Sequence, residues 1–253
     1  MSSTVSPPPL TPDVTPLSEG ARILNTFVDP GKTFTDLRRS AAWWGPFLLL
    51  ALVSVAFVYT VDKKVGFRRV SENQNQMSPK ATQRMDQMTS VEREQAITQQ
   101  AKVTGYIAYG FLIFMLVWYA IVAAVLLVTF KFGAGASDLT FSRTFAVVIY
   151  AAVPQGLRSL LAIASLWAGV SPDSFTFQNP VGTNPGFFMS PNDSPFLYSI
   201  ATSLDVFMIW TLVLAAIGLS CVSKLKRSTA MVGVFGWFVA LTLVGAGFAM
   251  FMR

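Results

Sequence analysis

Histidine is absent from the chain, and cysteine occurs once, as Cys221, among 253 residues. These absences exclude zinc sites of the HExxH type, Ser-His-Asp and Cys-His catalytic arrangements, and intrachain disulfide bonds. Cys221 lies in an apolar run, where a lone thiol is usually a small packing residue because desolvation disfavours the thiolate. We therefore expect no enzymatic activity, no catalytic residue, no bound metal and no cofactor.

Charged residues are also scarce, at 13% of the chain, whereas a soluble domain carries about 25%. Hydrophobic residues make up 53%, and the mean hydropathy is +0.51. The net charge is +6, but the basic residues do not form a stripe interleaved with aromatic residues of the kind that binds nucleic acid. We therefore expect no nucleic-acid partner. The composition predicts an integral membrane protein whose partner is the lipid bilayer, with topology and anionic-lipid contact explaining the basic excess.

Five apolar runs have about the length of a bilayer-spanning helix, which needs about 20 residues. They cover residues 44–61, 105–130, 142–168, 198–222 and 229–251. Backbone groups in lipid must be hydrogen-bonded internally, so each run is predicted to be helical. The fold class is an all-α bundle of five transmembrane helices, and small residues within the runs, such as Gly156, favour close packing with a protein partner or a second copy.

The segments outside the spans differ in character. Residues 1–21 are rich in Pro and Ser and are predicted to be a disordered tail, which leaves residues 22–253 as the membrane domain. Between the tail and the first span, the spacing of apolar residues predicts two short helices that lie in the membrane interface. The first ends at a break at Asp29-Pro30-Gly31, and the second is capped by Thr33.

Two loops are long. The first loop, residues 62–104, is predicted to be partly helical, with a helix opening at Ser78-Pro79. The third loop, residues 169–197, is predicted to be irregular. It holds several phenylalanines, so we expect it to fold back over the bundle, with partner binding as the alternative.

The distribution of Lys and Arg predicts the orientation in the membrane. Lys224, Lys226 and Arg227 lie together in the fourth loop, on the same side as the N-terminal segment, whereas residues 171–197 contain neither Lys nor Arg. The basic first loop opposes this pattern, although long loops weigh less in the positive-inside rule. We expect a cytoplasmic N-terminus and an external C-terminus, in the plasma or inner membrane if the protein is bacterial.

Arg158 and Asp205 are charged residues within apolar runs. Arg158 lies nine residues from Trp167, or about 13 Å along a helix, and Asp205 lies seven residues from Tyr198, or about 10 Å, on the same side. They form a candidate intramembrane polar pair, because pairing would lower the desolvation cost of each charge. Two alternatives remain: Asp205 lies at the interface near a helix N-terminus, or the charges serve transport.

Four segments carry a resemblance to a known family: ILNTFVDPGKTFTDL, KFGAGAS with the later YAAVP, SLDVFMIW, and LAAIGLS followed by Lys224. With them the chain resembles the bacterial branch of the Yip domain proteins, whose eukaryotic members are named for interaction with Ypt and Rab GTPases. The resemblance implies a five-span bundle with a cytoplasmic N-terminal region. It implies membrane trafficking or organisation for the eukaryotic relatives, but no GTPase-contacting residue maps onto this sequence, so Rab binding is not carried over.

The function predicted from the sequence is a non-enzymatic, membrane-organising or scaffolding role. The alternative is a small-solute transporter or channel subunit that uses Arg158 and Asp205, which a cavity reaching both charges would favour. An intramembrane aspartyl protease needs two carboxylates that share a proton, and Asp205 has no carboxylate companion in any predicted span.

Overall fold

The computed structural model describes residues 16–190 and 192–251, which contain α-helices and no β-strand. Eleven helices follow in chain order: α1 Glu19–Val28, α2 Pro30–Asp36, α3 Trp44–Lys64, α4 Phe67–Gln76, α5 Pro79–Asp86, α6 Ser90–Val128, α7 Phe141–Ala151, α8 Val153–Trp167, α9 Pro195–Ser203, α10 Val206–Val222 and α11 Arg227–Phe251. The predicted tail lies outside the described residues up to Thr15, and α1 begins at Glu19.

The fold is an integral membrane helical bundle, as the apolar runs predicted. Within the described ranges, α3, α6, the α7–α8 unit and α11 are long and apolar enough to cross a membrane, and α9 with α10 makes a fifth span if that bent pair is counted as one. Large apolar side chains such as Ile113 and Phe114 on α6 point outward. In a membrane protein this outward apolar surface contacts lipid, so packing within the bundle does not have to bury it.

Two of the predicted spans are interrupted. The third span breaks at Ala152, between α7 and α8, where Pro154 has no backbone N–H to donate to the preceding turn. The fourth span bends by 55° between α9 and α10. Hydropathy predicted these spans as continuous helices because it is insensitive to a break that keeps the composition apolar.

The second span is longer than its apolar part. α6 begins at Ser90, where Thr89 and Glu92 form a capping box: the Thr89 hydroxyl accepts from the Glu92 N–H and the Glu92 carboxylate accepts from the Thr89 N–H. At its other end α6 continues into a π-helical turn, Thr129–Gly133. The helix therefore extends well beyond the predicted run in the N-terminal direction.

α1 and α2 do not lie flat on the surface of the bundle. Phe34 and Leu37 are fully buried in the main core with Val147 of α7 and Leu219 of α10. A side chain at Gly218 would meet Val147 and Phe34, so glycine permits this close approach of α2, α7 and α10. These elements define the N-terminal end of the bundle, where Arg38 donates to the backbone carbonyls of Cys221 and Ser223.

The start of α2 differs from the prediction. α2 begins at Pro30, and its N-cap is Asp29, whose side chain accepts from the Lys32 N–H at 3.2 Å. Thr33 lies inside the helix, where its hydroxyl donates to the Arg22 carbonyl at 2.8 Å. The predicted cap at Thr33 is therefore wrong, because the helix begins one turn earlier, where proline occupies the first helical position after Asp29.

The opposite end, here the loop end, carries the first and third loops. α4, α5 and the first turns of α6 form a helical head, in which Ser78 caps α5 as predicted. The third loop folds back over the bundle, since Phe175 and Phe177 pack against Phe57 of α3. Asn73 of α4 holds the loop by donating to the carbonyls of Pro172 and Phe175, each at 2.9 Å.

Candidate functional site: a polar cavity at a break in the fourth span

The structure brings Arg158 and Asp205 together. The Arg158 Nε lies 3.2 Å from the Asp205 Oδ2, with Arg158 on the second turn of α8 and Asp205 at the junction of α9 and α10. Asp205 is only 4% exposed. A buried carboxylate needs compensation by charge or hydrogen bonds, and its surroundings supply both.

Asp205 also caps α10. Its Oδ1 accepts from the backbone N–H groups of Phe207, at 2.9 Å, and Met208, at 3.4 Å. Thr183 of the third loop donates its hydroxyl to Oδ2 and accepts, through its carbonyl, the Val206 N–H. Capping and pairing were alternatives in the sequence; in the structure one carboxylate makes both contacts, because the bend places the start of α10 opposite α8.

Arg158 is less completely engaged than its partner. Its Nη2 donates to the Gln178 carbonyl at 3.2 Å, and its buried Nε has no hydrogen-bond acceptor among the described residues, despite its ion-pair distance to Asp205. The side chain is 23% exposed. The guanidinium therefore keeps donor capacity beyond its contacts within the protein.

A cavity of about 280 Å³ opens beside the pair. It reaches both charges and is lined by Gln155, Arg158, Gln178, Ser199, Thr202, Ser203, Asp205, Met208 and Phe238. Irregular backbone at membrane depth is tolerated where it is buried in protein or lines such a cavity. Helix breaks next to a polar cavity are also the arrangement found at substrate sites of many transporters.

A second polar cluster, which the sequence did not predict, lies at the N-terminal end. Arg22 of α1 is 1% exposed and contacts two carboxylates: its Nη2 lies 2.6 Å from Asp36 Oδ2, and its Nη1 lies 3.0 Å from Glu19 Oε1. The Tyr150 hydroxyl of α7 donates to Glu19 at 2.8 Å. This network joins α1, α2 and α7.

The signal for this network was weak. Glu19, Arg22 and Thr26 share one face of α1, a stripe that resembles the solvated face of a surface helix. Tyr150 is a single hydroxyl in an apolar run. Only the packing of α1 against the bundle shows that the polar stripe faces inward.

Both charges at the centre of this network are ionised at neutral pH. Burial by itself would raise the pKa of Asp36, but hydrogen bonds from Arg39 and Arg22 outweigh it, so the pKa lies below its ordinary value. Burial likewise opposes the charge of Arg22, and the bonds to Asp36 overcome it, so the Arg22 pKa is raised.

In the part of the chain that the structure describes, no three His, Cys, Asp or Glu side chains converge on a point that could hold an ion. Cys221 is half-buried in the core at the N-terminal end of the bundle. The cavity beside Arg158 is lined by one cationic and one anionic side chain together with hydroxyl and amide groups.

Comparison with known proteins gives one match. The family model described as the Yip1 domain matches residues 24–249, from α1 to the last turn of α11. Neither a curated protein nor a solved structure matches the chain.

Proposed function

The chain belongs to the Yip1 domain family, and from this premise we propose that it is a non-enzymatic, membrane-organising protein that acts through its packed helices and partner contacts. The family and the apolar helices make it a multi-pass membrane protein. The family is not one of known enzymes.

One observation carries the proposal: α1 and α2 are fixed into the N-terminal end of the bundle, and α1 presents apolar residues outward. Leu24 is 68% exposed and Val28 80% exposed, while Phe34 and Leu37 anchor the same segment in the core. Helices with an outward apolar face insert into the headgroup region. Extra volume in one leaflet would favour curved or locally thinned membranes.

The same end carries the basic residues Arg38, Arg39, Arg143 and Lys224 together. If the basic first loop at the other end weighs less because of its length, the positive-inside rule supports a cytoplasmic N-terminal end and an external C-terminus. The exposed helix faces provide surfaces for a protein partner or a second copy within the bilayer. A plasma or inner membrane location follows if the protein is bacterial.

Reconstitution into liposomes tests this function. We expect the wild-type protein to change vesicle size or shape in electron micrographs, and a Leu24→Ser, Val28→Ser variant to do so less. A Val91→Ser variant is the control, since Val91 is exposed on the head, away from α1. Vesicles that are identical with and without protein would contradict the proposal.

A small-solute transporter or channel subunit is the second candidate, and the cavity that reaches both Arg158 and Asp205 favours it. Solute uptake into proteoliposomes would test this role. The expected result is uptake by the wild type that is lost in Arg158→Gln, and no uptake of any solute by folded wild-type protein would contradict it.

A further inference from the structure

We propose that the cavity beside Arg158 is a binding site for a phosphate-class oxyanion, supplied either by a lipid headgroup or by a soluble phosphate. The inference names a ligand class for the second candidate function and rests on it only in part, because binding does not require transport. Several hydrogen-bonding groups that line the cavity are unused within the described residues.

Asp205 has little capacity left to accept. A carboxylate accepts about four hydrogen bonds. In this chain Phe207 and Met208 donate to one oxygen, and the Thr183 hydroxyl donates to the other, which also faces Arg158. A cation or a donor-rich ligand would therefore find its natural acceptor already occupied.

Arg158 has capacity left to donate. A guanidinium has five N–H groups, and in the described part of the chain only its Nη2 makes a hydrogen bond, to the Gln178 carbonyl. The Nε is buried and faces the Asp205 carboxylate at 3.2 Å, so the donors left for a ligand are the N–H groups of the two Nη atoms. Unused guanidinium donors match the oxygens of a phosphate group, which arginine commonly binds through two parallel bonds.

The neighbouring polar side chains favour the same ligand class. Thr202 and Ser203 donate their hydroxyls to backbone carbonyls of their own helix, whereas no hydrogen bond of the Ser199 hydroxyl is found within the described residues. Ser199 and the Gln178 side-chain amide are donors available beside Arg158. The site thus offers an excess of donors over charged acceptors.

The size of the cavity limits the ligand. Its volume of about 280 Å³ lies just below the range of sites for drug-sized molecules, about 300–1,000 Å³. This space suits a phosphate with a small substituent. Met208 and Phe238 add apolar wall on one side, which is compatible with the glycerol end of a lipid headgroup.

The larger groove in the head is a weaker candidate. It measures about 570 Å³ and lies between α4, α5 and α6. Its Arg68 already pairs with Glu72 and Glu94, and these side chains are exposed, so water competes for every polar contact. No buried charge in it lacks a hydrogen bond within the described residues.

Binding to the purified full-length protein in phosphate-free detergent solution tests the site. The melting temperature is measured in inorganic phosphate and compared with the melting temperature in chloride at the same ionic strength. Native mass spectrometry of the same preparation records phospholipid that copurifies with the protein. Arg158→Lys keeps the positive charge but lacks the two parallel N–H groups of the guanidinium, so we expect its affinity for phosphate to be about tenfold weaker.

Ser199→Leu fills the cavity without removing the ion pair, and we expect it to abolish phosphate binding. Arg84→Lys and Ser165→Leu, both outside the cavity, are the matched controls.

Each outcome decides the proposal. A phosphate-dependent stabilisation that Ser199→Leu loses, that Arg158→Lys shows only at higher phosphate concentration and that the controls keep supports a soluble ligand. Phospholipid retained by the wild type and lost from folded Ser199→Leu supports a lipid headgroup. If folded wild type and Ser199→Leu do not differ in phosphate binding or in lipid retention, the inference is wrong, whatever the uptake and vesicle experiments show.

Discussion

Two ionic clusters lie in different parts of the bundle, and they differ in how completely their polar atoms are satisfied. At the N-terminal end, Arg22 contacts both Asp36 and Glu19 and is sealed from solvent. At the break in the fourth span, Arg158 faces a cavity and keeps a buried Nε without a hydrogen bond among the described residues.

The difference separates a structural role from a binding role. A buried polar network with every member satisfied fixes one arrangement of its helices and has nothing left to offer a ligand. A network with unused donors costs stability, and such unsatisfied groups in native proteins require an explanation such as a ligand or water. We infer that the Arg22 cluster holds α1 to the bundle and that the Arg158 cluster receives a ligand.

Arg22→Leu tests the closed cluster and should have the largest effect. It leaves Asp36 buried with less counter-charge, which should lower the free energy of unfolding by about 3–5 kcal/mol. Chemical denaturation in detergent measures the change. Arg39→Leu is the control: the Arg39 side chain is 49% exposed and also pairs with Asp36, so its loss should cost below about 1 kcal/mol. Equal losses in the two variants would show that the cluster is not closed.

Gly218→Ala tests the packing that seals the same end. The added Cβ would lie 2.5 Å from Val147 and 2.9 Å from Phe34, and overpacking of this kind costs about 1–3 kcal/mol. Gly236→Ala is the matched control, because its Cβ would meet nothing within 4 Å. If the two alanine variants unfold at the same denaturant concentration, α2 is not held as closely as the structure indicates.

A double-mutant cycle on Arg158→Leu and Asp205→Leu tests the open cluster. Contacting charges should couple by about 0.5–3 kcal/mol. We expect the lower part of that range, because Arg158 is 23% exposed and solvent screens the pair. Asp205→Leu alone should cost more than Arg158→Leu, since it also removes the cap of α10. Strictly additive losses would mean that the pair contributes no interaction energy.

The pH dependence of stability gives the smallest expected effect. The Asp36 pKa is lowered in the folded protein, so its stabilising contribution is fully present above the ordinary aspartate pKa of about 3.9 and is lost as the pH falls through the folded value. Asp36→Asn should remove this component from unfolding curves measured between neutral and acidic pH. If Asp36→Asn loses stability at acidic pH to the same extent as the wild type, the loss is due to other titrating groups.

Hydropathy was sufficient to predict the fold class and the approximate positions of the membrane-spanning segments, because lipid requires long apolar helices. It did not predict the break at Ala152 or the bend before Val206, since a hydropathy average does not register the proline at residue 154 or the capping aspartate at residue 205. Arg158 and Asp205 were visible as polar residues in apolar surroundings. The Arg22 cluster was not, because a polar stripe on a short amphipathic helix is the same in sequence whether it faces water or a neighbouring helix.

The length of α6 has a consequence for what happens outside the bilayer. The helix begins at Ser90, fifteen residues before the apolar run that starts at residue 105, which corresponds to about 22 Å of continuous helix. α4 packs along this extension, and Arg68 of α4 forms an ion pair with Glu94 of α6. The extension is thus the rigid element around which the head is built, and because it is continuous with the second span, the head cannot tilt independently of that span.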